Sequence, residues 1–593
     1  MQLSDGEPID LSIWNGAWPV NSNSCLNTSS HRRVYGFSPA SWSVCRESIQ
    51  KRLAQRLNCL PLIEVVEFED GAVVVSESLD RSLGDSPLYH GSSHDLLDLG
   101  ELFRDCENIS TAMTELHEAG FVWLNFRPDA LVRTSTGLKI TSLDLELFAV
   151  GECPASMQIS SQWSAPETQA FDARLISAAT DVYHLGLYAY YSIAGLLENG
   201  FSGQGPAAFS FALPQLRVYA PSVLPGLAPV IERAIFRRPG SRFSKPGELI
   251  DALRIAVDDA RKRTQCIPSA PPKAKLSIGQ SFLHACKSIF RLRTKNGDVF
   301  RQIETGRIFV AGTAKQSADI PNQDIAEIRV HEFQGQSVYV VVVADGVSTA
   351  TVGSGDVASK IACHAIHEFI EAKLRVAPKD PDWDAILRDA CQSASRQVLD
   401  AAIALGDLPA ELTDSGIMSS TAVIAIIHGD AVIVANVGDS RAYLVRENLA
   451  EQLTVDGDTG TTMLSQRSPP EEVLALGELA KSLQFCLGSC HINQPGELTL
   501  NADRCVPTLY RFRLTEGDTV ILCTDGLVDE GVFLEPSDLH QLVNEHSALN
   551  AQDLAAKLVA EADRKQRGVS ETEPKGFGDN ISCAVIRFAT LKS

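Results

Sequence analysis

The chain has 593 residues, far more than one hydrophobic core usually supports, so two or three domains are predicted. Apolar residues supply 44% and charged residues 21%, and this balance excludes global disorder. The net charge of −22 argues against a protein that holds nucleic acid through its phosphates, because such proteins usually present a basic face.

The cysteines and the N-terminus indicate a cytoplasmic protein with reduced thiols. The 14 cysteines are scattered and contain no CxxC pair, so no zinc site or redox motif is predicted from them. His331 and His364 likewise have no Cys or His partners at metal-binding spacing, and we interpret both as ordinary side chains. The first ten residues are acidic and lack the basic and apolar stretches of a secretory signal.

The N-terminal part, residues 1–260, mixes early strand-like segments with mainly helical ones. LIEVVEF (62–68) and AVVVSES (72–78) are rich in the β-branched residues of strands, whereas 95–120 and 180–197 show helical spacing of apolar residues. This order predicts a small sheet followed by a mostly helical region.

The same part resembles a protein kinase, chiefly in the larger lobe. The matching segments occur in the kinase order: the last strands and hinge (65–83), the catalytic loop ELHEAGFVWLNFRPDALV (115–132), SAPE (164–167), TDVYHLGLYAY (180–190) and RRPGSRFSKPGEL (237–249). The resemblance implies a kinase-like fold over residues 1–260. It also implies that Glu167, Asp181 and Arg242 stabilise the larger lobe through buried ion pairs and caps.

Most of the groups that transfer phosphate in a kinase are missing, and Ser142 or Asp144, depending on the alignment, stands at the DFG Asp position. Phosphoryl transfer needs a catalytic Asp, an Asn and an Asp on Mg²⁺, a Lys and a glycine-rich cover. Here Asn125 stands at the catalytic Asp position and Ala130 at the metal-binding Asn position, and Lys51 lies in a segment with helical character. We therefore predict a degenerate kinase, or pseudokinase, that binds or regulates; a merely stabilising domain is the alternative.

Residues 261–300 have the composition of a linker. The stretch RKRTQCIPSAPPKAK combines prolines, small residues and lysines, and a short amphipathic segment follows it. Asp298 is its only acidic residue, so the linker is basic within an acidic chain. We predict that it packs on an acidic domain face, and membrane-surface contact through its apolar side chains is the weaker alternative.

The C-terminal part, residues 301–593, alternates strong strand patterns with long helical ones. Four aspartates end or follow these strands: Asp324, Asp345, Asp525 and Asp579. A single Asp in such a place is commonly a turn residue. Four of them beside buried strands are costly unless they are paired or bound to metal.

These segments resemble the metal-dependent protein phosphatases of type 2C. The matching segments follow the family order: NQD (322–324), ADG (344–346), SSTA (419–422), ANVGDSRAYL (435–444), LTVD (453–456), CLG (486–488), GDTVILCTDGLVDE (517–530) and DNIS (579–582). The resemblance implies an α-β-β-α sandwich of two antiparallel sheets flanked by helices, so the whole chain is predicted as a multidomain α+β protein.

The resemblance also implies a centre for two Mn²⁺ or Mg²⁺ ions. Its protein ligands would be Asp324, Asp345, Asp525, Asp579 and the carbonyl oxygen of Gly346, with Asp345 bridging the ions. Asp345 and Asp525 would then be the catalytic residues, acting through a metal-activated water. Asp439 and Arg441 of GDSR are interpreted instead as a structural ion pair in a tight hairpin.

The sequence departs from the family pattern around the substrate phosphate. Asp319 stands where the family usually has a phosphate-gripping Arg, and Lys315 is the candidate replacement. Val347 follows ADG where some relatives have a His, and Ser419 replaces a common Gly. Asp414 is the only nearby candidate ligand for a third ion.

The resulting hypothesis is a Ser/Thr protein phosphatase that acts on phosphorylated proteins, with a regulatory or targeting pseudokinase. A cognate kinase or its substrate would be a further partner. One alternative is an inactive scaffold built from a pseudokinase and a pseudophosphatase, for which Asp319 is the best support. A bifunctional kinase and phosphatase is disfavoured by Asn125 and Ala130.

Overall fold

The computed structural model of the chain describes residues 25–27, 32–37, 43, 46, 50, 62–68, 71–77, 99–124, 126, 131–134, 137–140, 147–149, 163–169, 173–195, 213, 215–220, 223, 226–265, 301–310, 321–378, 380–406, 416–446, 449–468, 470–494, 497–529, 533–570 and 579–590. The chain forms two compact units, Met1–Ala260 and Arg261–Ser593. Most of the predicted linker, including its amphipathic segment, lies outside the described residues, so its packing stays a prediction.

The first unit contains a four-stranded antiparallel sheet in the order β1-β2-β4-β3. Two small antiparallel pairs follow, β5 with β8 and β6 with β7. Strands β3 and β4 occupy the two segments whose composition predicts strands. The bounds are β1 Cys25–Asn27, β2 Arg32–Phe37, β3 Leu62–Phe68, β4 Gly71–Glu77, β5 Phe121–Trp123, β6 Leu131–Thr134, β7 Gly137–Ile140 and β8 Leu147–Ala149.

Helices α1, α4 and α5 pack against α3, which is buried along almost its whole length. Ser177 and Thr180 form a capping box that begins α3, and Gly195 ends it in the left-handed conformation. The bounds are α1 Leu99–Glu118, α2 Pro166–Gln169, α3 Ala178–Ala194, α4 Leu216–Tyr219, α5 Leu227–Ala234 and α6 Pro246–Gln265.

A buried ion pair joins the segment at α2 to the loop before α6. The guanidinium of Arg242 donates to both carboxylate oxygens of Glu167, at 2.7 and 2.8 Å, and neither side chain is more than 1% exposed. Arg242 also donates to main-chain carbonyls, including that of Ala179 at 3.0 Å. Because every strong donor direction of the fork is used, the pair holds three segments together.

Asp181 is a second buried charge of this unit. Its Oδ2 lies 2.7 Å from His117 Nε2 and accepts the main-chain N–H of Trp123 at 3.0 Å, while Oδ1 lies 3.2 Å from His184 Nδ1. Burial acts to raise the pKa of Asp181, but the hydrogen bonds and charges of the two histidines outweigh it, so the pKa is lowered. The carboxylate therefore ties α1, β5 and α3 together.

The second unit is a sandwich of two five-stranded antiparallel sheets. The first sheet has the order β10-β11-β12-β13-β18 and the second the order β15-β14-β19-β20-β9, with a β16-β17 hairpin beside them. The bounds are β9 Arg301–Val310, β10 Asp324–Phe333, β11 Gln336–Asp345, β12 Ala422–His428, β13 Ala431–Val437, β14 Arg441–Arg446, β15 Leu449–Gln452, β16 Cys490–Gln494, β17 Glu497–Leu500, β18 Thr508–Arg513, β19 Thr519–Cys523 and β20 Ile581–Thr590.

Helices cover the outer faces of this sandwich, as the sequence predicts. Apolar residues of α7 and α8 pack on the first sheet, and apolar residues of α11 and α12 pack on the second. Among the residues that the structure describes, no helix combines the length and apolar character that crossing a bilayer requires. The bounds are α7 Gly355–Val376, α8 Trp383–Ala404, α9 Thr459–Ser465, α10 Pro470–Ala475, α11 Pro536–Glu545 and α12 Ala551–Ser570.

Strand alternation divides the core of the sandwich into layers. In β11, Val340 and Val342 face the helices, whereas Val341 and Val343 face the second sheet. Val520 and Leu522 of β19 lie in the layer between the sheets. Because both faces of the central strands are buried, their sequences read as continuous apolar runs.

Candidate metal centre

Asp324 and Asp345 face each other at the open end of the β10–β11 hairpin. Asp324 is the first residue of β10, Asp345 is the last residue of β11, and the antiparallel register pairs them directly. At the other end, Gln334 and Gly335 have φ angles of 55° and 76°, which are typical of a two-residue primed turn. The turn fixes the register, so two carboxylates distant in sequence become neighbours.

The main chain of Asp345 is held by the loop before β12. Its carbonyl oxygen accepts Thr421 N and Ser420 Oγ, each at 2.8 Å, and its N–H donates to Thr421 Oγ1 at 3.1 Å. These bonds fix the backbone and leave the carboxylate of Asp345 for other partners.

Gly346 occupies a place where no side chain fits. Its N–H donates to the Gln323 carbonyl at 3.1 Å, and a Cβ built at this position would collide with the main chain of Gly355 in the first turn of α7. The glycine therefore permits α7 to begin directly beside the strand end. Its carbonyl as a metal ligand stays a prediction.

Asp525 and Asp579 come from the second sheet. Asp525 lies two residues beyond the end of β19, and Asp579 lies two residues before the start of β20. These two strands are hydrogen-bonded to each other. Gln566 of α12 joins the two segments, because its Nε2 donates to the Gly526 carbonyl at 3.0 Å and its Oε1 accepts Asp579 N at 3.2 Å. One buried amide thus sets the spacing of the two aspartates.

The predicted aspartates of both sheets converge at one end of the sandwich. One carboxylate oxygen from each of Asp345, Asp525 and Asp579 lies within 4.8 Å of the other two, and all three side chains are partly accessible to solvent. Asp324 is buried beside them, and its Oδ2 accepts the Thr524 hydroxyl at 2.8 Å. Thr524 precedes Asp525, so this hydrogen bond links the two sheets.

The carboxylates of this cluster are poorly stabilised by the protein itself. Oδ1 of Asp324 and Oδ1 of Asp525 are buried without a hydrogen-bond partner among the described residues. Burial and the charge of Asp579 raise the pKa of Asp324 to about 6. Burial, followed by the charges of Asp324 and Asp525, raises the pKa of Asp345 well above its ordinary value. Burial and the charge of Asp439 raise that of Asp525.

This donor set fits hard divalent cations. It consists entirely of carboxylate oxygens, which suit Mg²⁺ and Mn²⁺ more than softer metals. The charge of Arg441 and the Thr524 hydroxyl only partly offset two partnerless buried oxygens and the mutual repulsion of the carboxylates, and a bound cation would supply further positive charge. Asp324, Asp345, Asp525 and Asp579 are the residues that would hold it.

The structure changes the interpretation of the GDSR segment. Arg441 does form a structural ion pair, but its carboxylate partner is Asp456, reached by Nε at 3.0 Å and Nη2 at 2.7 Å. Burial and the charge of Asp456, against the opposing charge of Arg441, raise the pKa of Asp439 to about 7. Asp439 also acts on the pKa of Asp345 and of Asp525, so it belongs beside the metal centre. The sequence interpretation did not place Asp439 beside the carboxylate cluster. The one signal in the sequence is that Asp439, like the other aspartates, follows a strand.

Several predicted residues lie outside the described part of the chain. Lys315, Asp319 and Asp414, which concern the substrate phosphate and a third ion, are among them, and so are Asn125 and Ala130 of the degenerate kinase positions. Their roles stay predictions.

The sequence of the second unit is similar to those of known phosphatases. A family model described as protein phosphatase 2C matches residues 311–561. The serine/threonine phosphatase stp of Listeria monocytogenes is 26% identical over 270 residues, covering 41% of this chain and 96% of that protein. The protein of the same name from Listeria welshimeri is 29% identical over 228 residues, covering 36% and 80%.

Among solved structures, the catalytic domain of the serine/threonine protein phosphatase PstP in complex with 2 manganese ions is 20% identical. It covers 49% of this chain and 100% of that one, with a TM-score of 0.33. The family model, the stp relatives and the ordered motifs agree on the same half of the chain. The C-terminal half therefore contains a phosphatase domain of the protein phosphatase 2C type.

Proposed function

We propose that the protein hydrolyses phosphoserine and phosphothreonine monoesters of phosphoproteins, using two Mn²⁺ or Mg²⁺ ions. The observation that carries the proposal is the convergence of Asp345, Asp525 and Asp579 beside Asp324 in a domain of the 2C type. The serine/threonine phosphatases among the relatives support the substrate class.

The chain's own residues prepare the centre for a cation. Asp324, Asp345, Asp525 and Asp579 would hold the ions. When bound, such ions polarise phosphoryl oxygens and lower the pKa of bound water, which supplies a nucleophile at neutral pH. The anchored main chain of Asp345 and the Thr524 hydroxyl keep the carboxylates in place, so little reorganisation is needed when substrate arrives.

Two residues near the centre in the sequence bear on proton donation to the leaving group and on phosphate binding. Val347, the residue after Gly346, has no proton to donate, so water is the expected source of the proton for the leaving serine or threonine oxygen. Lys315 remains the proposed phosphate-binding residue, with a point charge in place of an Arg fork.

For the first unit we propose a pseudokinase that regulates or targets the phosphatase. The buried Glu167–Arg242 pair and the contact of Asp181 with the main chain of Trp123 support a kinase-like larger lobe, because the resemblance assigns these residues to its scaffold. Asn125 and Ala130 at the catalytic positions support the loss of kinase chemistry. A cytoplasmic location stays part of this proposal.

The test is release of phosphate from a phosphothreonine peptide by the full-length protein and by residues 301–593. We expect activity with Mn²⁺ or Mg²⁺, loss of activity with a chelator, and loss in Asp345→Asn. Asp430→Asn is the matched control, because Asp430 lies at the β12–β13 turn and pairs with Arg513, at the end of the strands away from the centre.

The two proteins separate the possible roles of the first unit. Activity confined to residues 301–593 would indicate inhibition by the pseudokinase, and equal activity would indicate targeting. If neither protein hydrolyses the peptide in the presence of metal while both are folded, the phosphatase proposal fails and the scaffold alternative replaces it.

A further inference from the structure

A second group of metal-ligand side chains lies between strand β10 and helix α7. Glu327 of β10, Cys363 and His367 of α7 each place one ligand atom within 4.8 Å of the other two. Cys363 and His367 are four residues apart on the helix and therefore share one face. We propose that these three side chains bind a transition-metal ion of the Zn²⁺ class, at a site separate from the phosphatase centre and independent of the proposed function.

His367 is the observation that points most directly to a ligand. Its side chain is buried, and neither ring nitrogen makes a well-formed hydrogen bond among the described residues, although the main chain of Glu327 lies close enough to act on the imidazole. A buried polar group without a partner destabilises the folded state, so native structures nearly always satisfy it. A metal ion beside the carboxylate and the thiol would supply the missing partner.

The spacing of the other two ligands also suits such an ion. Cys363 Sγ lies 3.6 Å from Glu327 Oε2. Zinc–sulfur and zinc–oxygen bonds of about 2.3 and 2.0 Å at a tetrahedral angle place the two ligand atoms roughly 3.5 Å apart. The pair therefore needs almost no movement to share an ion. In its absence the contact is a weak hydrogen bond donated by the thiol.

The Cys363 thiol must lose its proton when the ion binds. Burial, followed by the charge of Glu327, raises the pKa of this thiol, so the proton stays in place until an ion displaces it. Binding replaces the Cys363 thiol proton with the ion and releases that proton to solvent.

Arg329 both helps and opposes an ion at this site. Its Nε donates to Glu327 Oε1 at 2.7 Å, which orients the carboxylate and leaves Oε2 toward the thiol. Its positive charge repels a cation, but the thiolate and the carboxylate together neutralise the two charges of the ion. Three protein ligands leave one tetrahedral position for water.

An ion at this site would stabilise the parts of the fold that position the phosphatase centre. Strand β10 begins at Asp324, and α7 begins at Gly355 against Gly346. Linking Glu327 to Cys363 and His367 would join these two elements, so the ion would act structurally and not in the reaction.

The test uses Co²⁺ as a spectroscopic probe for Zn²⁺ on full-length, metal-stripped protein. A thiolate ligand gives a strong charge-transfer absorption, whereas the phosphatase centre offers only oxygen ligands. We expect this absorption to saturate at one equivalent of Co²⁺, to be displaced by Zn²⁺, and to disappear in Cys363→Ser. His367→Gln should weaken Co²⁺ binding at least about 10-fold.

Cys391→Ser is the matched control, because Cys391 is an equally buried thiol in the same apolar core. It should retain the absorption. If Cys363→Ser does not fold, Glu327→Gln at the partly exposed strand should still weaken binding about 10-fold. Absence of the absorption in the wild-type protein, or its persistence at full strength in Cys363→Ser or in both other ligand variants, would overturn the site.

Discussion

Two buried aspartates of this protein, Asp181 in the first unit and Asp324 in the second, meet opposite environments. Asp181 is surrounded by the main-chain N–H of Trp123 and by two histidines, and its pKa is lowered. Asp324 accepts the Thr524 hydroxyl, but burial and the repulsion of Asp579 outweigh this hydrogen bond, and its pKa is raised to about 6. Equal burial therefore gives opposite pKa shifts.

The opposite pKa shifts of Asp181 and Asp324 distinguish a structural carboxylate from a functional one. A carboxylate whose partners are all internal contributes stability directly. A carboxylate left among like charges reduces the stability of the folded chain until an external cation binds, and such sites are typical of function. The same Asp→Asn substitution should therefore have opposite effects on stability in the two units.

The largest effect is expected for Asp345→Asn. Removing this central carboxylate should lower the rate of peptide dephosphorylation about 10³-fold, or roughly 4 kcal/mol, because the metal centre supplies several kcal/mol of transition-state stabilisation. Without metal, the same variant should unfold at a higher temperature than the wild type, because one repelling charge is gone. Lower metal-free stability, measured by thermal unfolding, would contradict the comparison.

Asp181→Asn should instead destabilise the first unit by about 3 kcal/mol, because it weakens a largely buried network of charges and hydrogen bonds around the fully buried Asp181. Hydrogen exchange of α3 amides in the full-length protein measures this locally. Asp251→Asn is the control, since that side chain is exposed and, among the described residues, pairs with Arg254 of the same helix. Equal exchange in both variants would show that Asp181 is not structural.

Metal should change how the stability of the second unit depends on pH. Raised pKa values, about 6 for Asp324 and about 7 for Asp439, mean that the folded state binds these protons more tightly than the unfolded chain does. That stability is complete below pH about 4 and is lost as the pH rises through 6 to 7.

Mn²⁺ at about 100 times its Kd should restore roughly 2.7 kcal/mol at pH 8, and far less at pH 5, where protons compete for the carboxylates. Thermal unfolding of residues 301–593 with Mn²⁺ and with chelator measures both effects. A metal-induced shift that is larger at pH 5 than at pH 8 would contradict the assignment of these carboxylates as ligands.

The smallest effect is expected for Thr524→Val, which removes the hydroxyl that donates to Asp324 and accepts Ser582 N at 3.1 Å. Metal affinity should fall about 10-fold, because the hydroxyl orients a ligand. Thr519→Val, at the start of the strand that Thr524 follows, is the matched control, since its buried hydroxyl has no hydrogen-bond partner among the described residues. If both variants bind Mn²⁺ as the wild type does, Thr524 has no positioning role.

The location and type of the second unit could be predicted from its sequence, and so could the identity of its central aspartates. Continuous apolar runs such as that of β11 can be read directly, because residues on both faces of a central strand are buried. Each aspartate ends or follows such a run, so its place at a strand end was visible before any pairing was known. The kinase-like interpretation rests on weaker motifs, and residues 125 and 130 lie outside the described structure.

Which of these side chains contact one another depends on the tertiary structure. Strand register pairs Asp324 with Asp345, Gln566 sets Asp525 beside Asp579, and Arg441 turns to Asp456. The sequence analysis did not find the group formed by Glu327, Cys363 and His367. CxxC spacing applies to turns, whereas two ligands four residues apart on a helix have the spacing of ordinary core positions. Sequence spacing describes neighbours along one element, and contacts between elements depend on register and packing that the spacing does not contain.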